Sequence, residues 1–149
     1  MIGMTVLIAA GAFDEAELSA ERVAAAIGRG LRASGLPAPE ECPIEEAGPS
    51  GEHPDDIRAR LDALHFDARM KRARAVVVAA GRMDRATLRG SATFEIATRA
   101  RQAGVPAYAV TAENALDPFD ARILDLQMIL EARDIRGIRN AGSKLAVLI

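Results

Sequence analysis

Two stretches of the chain place charged and hydroxyl side chains where an apolar run gives way to a helical period. GAFDEAELSAE, over 11–21, brings Gly11, Phe13, Asp14, Glu15, Glu17 and Ser19 together, and GRMDRATLRGS, over 81–91, brings Gly81, Arg82, Asp84, Thr87 and Gly90. A loop at the carboxyl end of a strand that feeds a helix is where open α/β sheets bind ligands, because the first helical N–H groups have no intrahelical partner. Gly11 and Gly81 mark the points where such a chain turns sharply. Arg82, Arg85 and Arg89 favour an anion at the second loop, whereas Asp14, Glu15 and Glu17 oppose one at the first. Arg82 and Asp84 also have a structural use: a charge-assisted hydrogen bond between them holds the turn. Spacing alone favours that structural use over an anion site.

Conventional nucleophile and metal patterns do not occur. There is no Gly-x-Ser-x-Gly elbow, no Cys-x-x-Cys, no paired histidines and no complete phosphate-binding Gly-x-x-x-x-Gly-Lys. His53 reads as a loop residue and His65 as a helix-surface residue. Cys42 stands alone, with no second cysteine for a disulfide and no nearby ligand set for a metal, which suits a structural thiol in a reducing cytoplasm.

The elements that must position the two loops follow from periodicity. TVLIAA (5–10), AVVVAA (75–80) and PAYAVT (106–111) are continuous apolar runs, as expected of strands covered on both faces. ECPIE (41–45), an edge strand by virtue of its proline, and LQMILEA (126–132) are weaker strands. Ser19 caps a helix with Val23, Ile27 and Leu31 inward, stopped by Gly35 and Pro37. Asp55 or Asp56 opens a second with Ile57, Leu61, Leu64 and Ala68 on one face. Ser91 caps a third that carries Ile96, Ala97 and Ala100 and ends at Gly104. A fourth starts near Asp134 with Ile135, Ile138, Gly142, Leu145 and Ile149. Strands alternating with helices predict βαβ units and a mainly parallel sheet of four or five strands. The segment 36–54 holds five of the seven prolines and reads as a long Pro/Gly-rich loop or linker.

With 149 residues, 50% of them hydrophobic, the chain fits one domain that buries about 70% of its unfolded surface without disulfide or metal. Its net charge of −2 gives no general attraction to nucleic acid or anionic lipid, and 3% aromatic residues leave no platform for stacking bases. The basic residues between Arg69 and Arg101 read as a solvated face rather than an anion site. No run approaches the ~18 apolar residues of a membrane span, and no basic leader precedes the first apolar run. The reading is a cytoplasmic protein, with no membrane and no nucleic-acid partner.

The two loops resemble the signature openings of the glycerate kinases. In that family a strand leads into Asp-Ser-Phe-Lys-Gly-x-Leu-Ser-Ala, and VLIAAGAFDEAELSAERVAAAIGRGLR (6–32) is similar in its strand, Phe13, Leu18, Ser19, Ala20 and the helix that follows. The later signature, Gly-Glu-Gly-Arg-Leu-Asp-x-Gln-Thr-Leu-x-Gly-Lys, resembles AAGRMDRATLRGS (79–91) at Gly81, Arg82, Asp84, Thr87, Leu88 and Gly90, and ARQAGVPAYAV continues the similarity. The departures fall on the chemically loaded positions. Gly11, Ala12 and Asp14 stand for the first signature's Asp, Ser and Lys, and Ala80, Ala86 and Ser91 for the second's Glu, Gln and Lys.

The resemblance implies a three-layer α/β/α Rossmann-like domain over 1–149, equivalent to the family's discontinuous domain without its inserted second domain. The insertion would fall at 36–54, where EEAGPSGE (45–52) is similar to a shortened form of an acidic-glycine motif. It further implies Mg-ATP as cofactor wherever the activity survives, with Arg82 against a phosphate or carboxylate, Asp84 for a metal or hydroxyl, and Thr87 as a polar orienter. Gly81 and Gly90 shape that loop; Gly11, Phe13 and Ser19 are weaker candidates. Because the donors for phosphoryl transfer are replaced, the expectation is a non-catalytic relative that binds a small organic acid, a nucleotide or a partner. The alternatives are a glycerate kinase completed by self-association, and an assembly protein. Surface uncovered by loss of the insert favours a homo-oligomer.

Overall fold

The computed structural model describes residues 5–45 and 53–149. Most of EEAGPSGE therefore lies outside the described residues. Five strands, β1 (Thr5–Ala10), β2 (Glu40–Pro43), β3 (Ala73–Met83), β4 (Ala107–Asn114) and β5 (Ile129–Glu131), form one sheet in the order β2-β1-β3-β4-β5, and every pairing is parallel. Parallel neighbours need crossovers, which α1 (Ala20–Ala33), α2 (Pro54–Ala63), α3 (Phe66–Lys71), α4 (Ala92–Ala103) and α5 (Pro118–Leu124) supply, while α6 (Ile135–Leu148) follows the last strand.

Alternation along the strands divides the core into two layers. Val6, Ile8, Val77 and Val110 face α1 and α6, meeting Val23, Ile27, Leu31, Ile138 and Leu145. Leu7, Ala9, Val76, Val78 and Ala109 face the other way, against Ile57, Leu61, Phe66, Met70 and Ile96. The result is the expected α/β/α sandwich. No helix among the described residues is long and apolar enough to cross a membrane.

Local chemistry fixes the helix ends. The Ser19, Ser91 and Asp134 side chains accept hydrogen bonds from the backbone N–H groups of Arg22, Phe94 and Gly137 at 3.3, 3.1 and 2.6 Å, capping α1, α4 and α6 as their positions predict. β2 is the edge strand that Pro43 requires.

Other expectations are corrected. The second helix is two: His65 adopts a left-handed conformation (φ 53°) between α2 and α3, which turns Phe66 and Met70 inward and leaves Ala68 exposed. α2 opens at Pro54 with His53 as its cap, one residue before Asp55 and two before Asp56, and the His53 Nδ1 accepts from the Asp55 N–H. α5 follows Asp117-Pro118, a cap followed by proline at the first helical position. The basic stretch is only partly solvated. Arg69 pairs with Glu40 at 3.0 Å, and the Arg99 side chain, 10% exposed, pairs with Asp62, Asp67 and Glu95 at 2.9, 3.1 and 3.1 Å, joining α2, α3 and α4. Cys42 is buried, and burial pushes its thiol pKa up.

α1 and α6 meet backbone to backbone. A Cβ on Gly30 would collide with the Arg139 carbonyl and one on Gly142 with the Ile27 carbonyl, while the Ser143 hydroxyl donates to the Gly30 carbonyl at 3.2 Å. Gly30→Ala or Gly142→Ala is therefore expected to destabilise the fold by about 1–3 kcal/mol, the usual range for overpacking, despite the ~1 kcal/mol by which Ala outranks Gly in a helix. A lower urea midpoint at unchanged slope is the readout, and a rise in midpoint would refute the close crossing.

Candidate functional site

The strand order reverses between β1 and β3: the chain passes from β1 outward to β2, then returns to the opposite side of β1. In open α/β sheets the crevice at the carboxyl ends of such a strand pair is where ligands bind. A cleft of about 320 Å³ lies there, walled by residues 12–16 after β1, by Ala80, Gly81 and Arg82 of β3, and by Ala112 of β4. A second hollow of about 280 Å³ shares Glu15, Ala16 and Ala112 with it and is completed by Glu113 and Arg133.

The first loop is pinned by its own backbone. Phe13 and Leu18 exchange N–H···O bonds of 2.9 and 3.0 Å, the Phe13 side chain is buried, and the Gly11 N–H donates to the Ala79 carbonyl at 2.8 Å. Asp14–Ala16 form a 3₁₀ turn that presents Asp14 and Glu15 outward, both exposed.

The second loop differs from its expected form. β3 continues through Gly81 and Arg82 to Met83, so the sharp turn comes at Asp84 rather than at Gly81. The extension exists because β4 also runs on, pairing Arg82 with Glu113 and Met83 with Asn114. Gly81 serves instead as a gap: a Cβ there would sit 3.3 Å from the Ala12 carbonyl.

Asp84 then caps a 3₁₀ turn at Arg85–Leu88. Its Oδ1 accepts from the Ala86 N–H at 2.9 Å, and its own N–H donates to the Thr87 Oγ1 at 3.0 Å. Its Oδ2 accepts from the Arg82 Nε at 2.8 Å, and the Arg82 Nη1 lies 2.5 Å from the Glu113 Oε2. The Ser91 hydroxyl donates to the Thr87 carbonyl at 2.7 Å. Gly90 has φ +91°, and a Cβ there would stand 2.9 Å from the Pro54 Cγ, so the loop rests against the start of α2.

The electrostatics follow these contacts. The hydrogen bonds that Arg82 donates to Asp84 and then to Glu113 raise its pKa above the ordinary value, and the Arg82 hydrogen bond is the chief cause holding the Asp84 carboxyl below its own. Of the candidate residues, Phe13, Gly81 and Arg82 line the cleft. Gly11, Ser19, Asp84, Thr87 and Gly90 lie in the framework around it. Glu113 and Arg133 were not anticipated, because nothing local indicates that the ends of β4 and β5 converge on this crevice. Among the described residues, no cluster of three or more His, Cys, Asp or Glu side chains is arranged to hold a metal ion.

Fold and site together define a doubly wound α/β domain with a cleft at its topological switch point. The glycerate kinase family model matches residues 50–134, more than half of the chain, and the chain belongs to that family. A solved structure described as glycerate kinase 2, from Salmonella typhimurium LT2, is 17% identical with a TM-score of 0.46, over 62% of this chain and 25% of that one. The chain thus corresponds to a quarter of the length of that protein. No curated protein matches the chain.

The Arg82–Asp84 pair gives a test by pH. A carboxyl with a depressed folded-state pKa contributes stability that is present above its unfolded value and lost as pH falls through the folded one. Asp84→Asn, which keeps a capping oxygen but removes the charge, is expected to be less stable than wild type at neutral pH. The gap should narrow as pH drops below the ordinary carboxylate value of about 3.9. A gap that is constant across this range in thermal melts would mean that the ion pair contributes nothing to holding the turn.

Proposed function

We propose that this chain is a non-catalytic member of the glycerate kinase family whose switch-point cleft binds a small ligand. The charge of the cleft is the observation that supports this reading. Arg82, the guanidinium in its β3 wall, is already shared between Asp84 and Glu113, and the wall after β1 carries the carboxylates of Asp14 and Glu15, unpaired among the described residues. Phosphoryl transfer needs fixed cations where charge spreads over the phosphoryl oxygens. Here the lining repels a triphosphate, and Ala12 and Ala80 fill positions where the family resemblance implies polar donors. These residues do not fit Mg-ATP. A kinase completed by self-association would need its cations from a second copy. A cytoplasmic location goes with this reading, since the one thiol, Cys42, is free and buried.

Incubation with Mg-ATP and D-glycerate, followed by a coupled assay for ADP, is expected to give no turnover above background. Thermal melts with Mg-ATP should show no shift, whereas a ligand at 100 times its dissociation constant adds about 2.7 kcal/mol. ADP release that depends on D-glycerate would overturn the non-catalytic reading.

An assembly role is the second reading, and α5 supports it. Phe119 and Ile123, one turn apart on that helix, are 71% and 41% exposed. Arg122 and Asp125 beside them make no ion pair among the described residues, and two copies related by a two-fold axis can pair opposite charges of this kind. β5, next in the chain, has β4 as its one strand neighbour. Sedimentation analysis is expected to give a dimer for the wild type and a monomer for Phe119→Ser combined with Ile123→Ser. A wild-type monomer at micromolar concentration would remove this reading.

A further inference from the structure

We infer that the ligand of the switch-point cleft is a small zwitterion of the α-amino-acid type; the inference rests on the ligand-binding reading above and narrows its chemistry. The cleft and the adjoining hollow share the wall made by Glu15, Ala16 and Ala112, so a ligand of a few heavy atoms meets both sets of lining groups. The cleft volume of about 320 Å³ lies at the small end of the ~300–1,000 Å³ usual for small-molecule sites.

The charges around this space divide into those already used and those still available. Arg82 and Glu113 satisfy each other, and Arg82 also satisfies Asp84. The side chains of Asp14 and Glu15 make no hydrogen bond or ion pair among the described residues, and Glu15 lines both hollows. Arg133 is anchored differently. Its Nε donates to the Ala112 carbonyl at 3.0 Å, which fixes the plane of the guanidinium and leaves its two terminal nitrogens as a fork. A planar fork of this kind takes a carboxylate through two parallel hydrogen bonds.

The complementary ligand has an ammonium toward Asp14 and Glu15 and a carboxylate toward Arg133. Its short apolar portion meets Ala12, Ala16, Ala80 and Ala112, whose side chains leave room and carry no polar group. A hydroxy acid supplies the carboxylate and no cation, so it leaves Asp14 and Glu15 facing its own negative charge. A simple amine supplies the cation and leaves the Arg133 fork unused.

L-Serine, L-glycerate and ethanolamine separate these chemistries, because L-serine and L-glycerate share a carbon skeleton and configuration and differ by an ammonium in place of a hydroxyl. Isothermal titration of the full chain is expected to give the tightest binding for L-serine, about tenfold or more tighter than L-glycerate, the scale of one charge-assisted hydrogen bond. Arg133→Ala should weaken L-serine by about tenfold and leave ethanolamine unchanged. Glu15→Gln should weaken both amines and shrink the preference for L-serine over L-glycerate. Both positions are exposed, so the variants are expected to fold, which melting curves check. Equal or tighter binding of L-glycerate overturns the zwitterion inference and leaves the ligand-binding reading standing, as does ethanolamine binding as tightly as L-serine. Failure of all three probes to bind at millimolar concentration overturns the inference and the ligand-binding reading together.

Discussion

The approach of α1 to α6 at Gly30 and Gly142 sets the frame on which the rest of the structure hangs. Helices separated by side chains can shift when those side chains repack, but helices in backbone contact have no compressible layer between them. α1 is thereby held at one depth over the sheet. Its amino end carries the Ser19 cap and, just before it, the Phe13–Leu18 bridge, so the position of the first loop relative to β3 follows from the crossing. The width of the cleft is a consequence of two glycines on its far side. An alanine-rich sheet face makes this feasible, since Ala10, Ala75 and Ala79 let the helix layer lie close.

At the other wall, a residue type suited to catalysis is absorbed into architecture. Arg82 sits opposite Glu113 in the β3–β4 register, and Asp84 follows where the strand must end. One guanidinium therefore ties the last turn of the ladder to the start of the 3₁₀ segment, with Thr87, Ser91 and Gly90 continuing the support toward α4 and α2. The same side chain still edges the cleft. Its charge is balanced twice over, by Asp84 and by Glu113, whereas the side chains of Asp14 and Glu15 across the crevice have no such partner among the described residues.

Much of the fold was legible in local pattern. The three apolar runs became β1, β3 and β4, and Ser19, Ser91 and Asp134 capped the helices they precede, because strand burial and helix capping are decided within a few residues. What escaped was decided by distant contacts. Gly81-Arg82-Met83 contains a glycine and a charge that suggest a turn, yet β4 offers partners as far as Asn114 and the strand continues. Ile57, Leu61, Leu64 and Ala68 keep helical spacing, but Phe66 and Met70 bury more surface than Ala68, and the chain breaks at His65 to bury them. α5 buries little apolar surface beyond Leu124, so periodicity was silent where the Asp117-Pro118 cap was not. Glu113 and Arg133 come to the site through strand order, which no local motif encodes.

The all-parallel sheet also has a temporal meaning. With no hairpin anywhere among the described strands, each pairing must wait for a crossover to close. β1 with β2, β3 with β4, and β4 with β5 join segments that are near neighbours along the chain, whereas β1 with β3 joins residues about twice as far apart in sequence. Loop-closure entropy favours two partial assemblies, β1-α1-β2 and β3-α4-β4-α5-β5, before the seam between them forms. The cleft lies on that seam. Its walls belong to different halves, and the crevice comes into being only at the step that unites them.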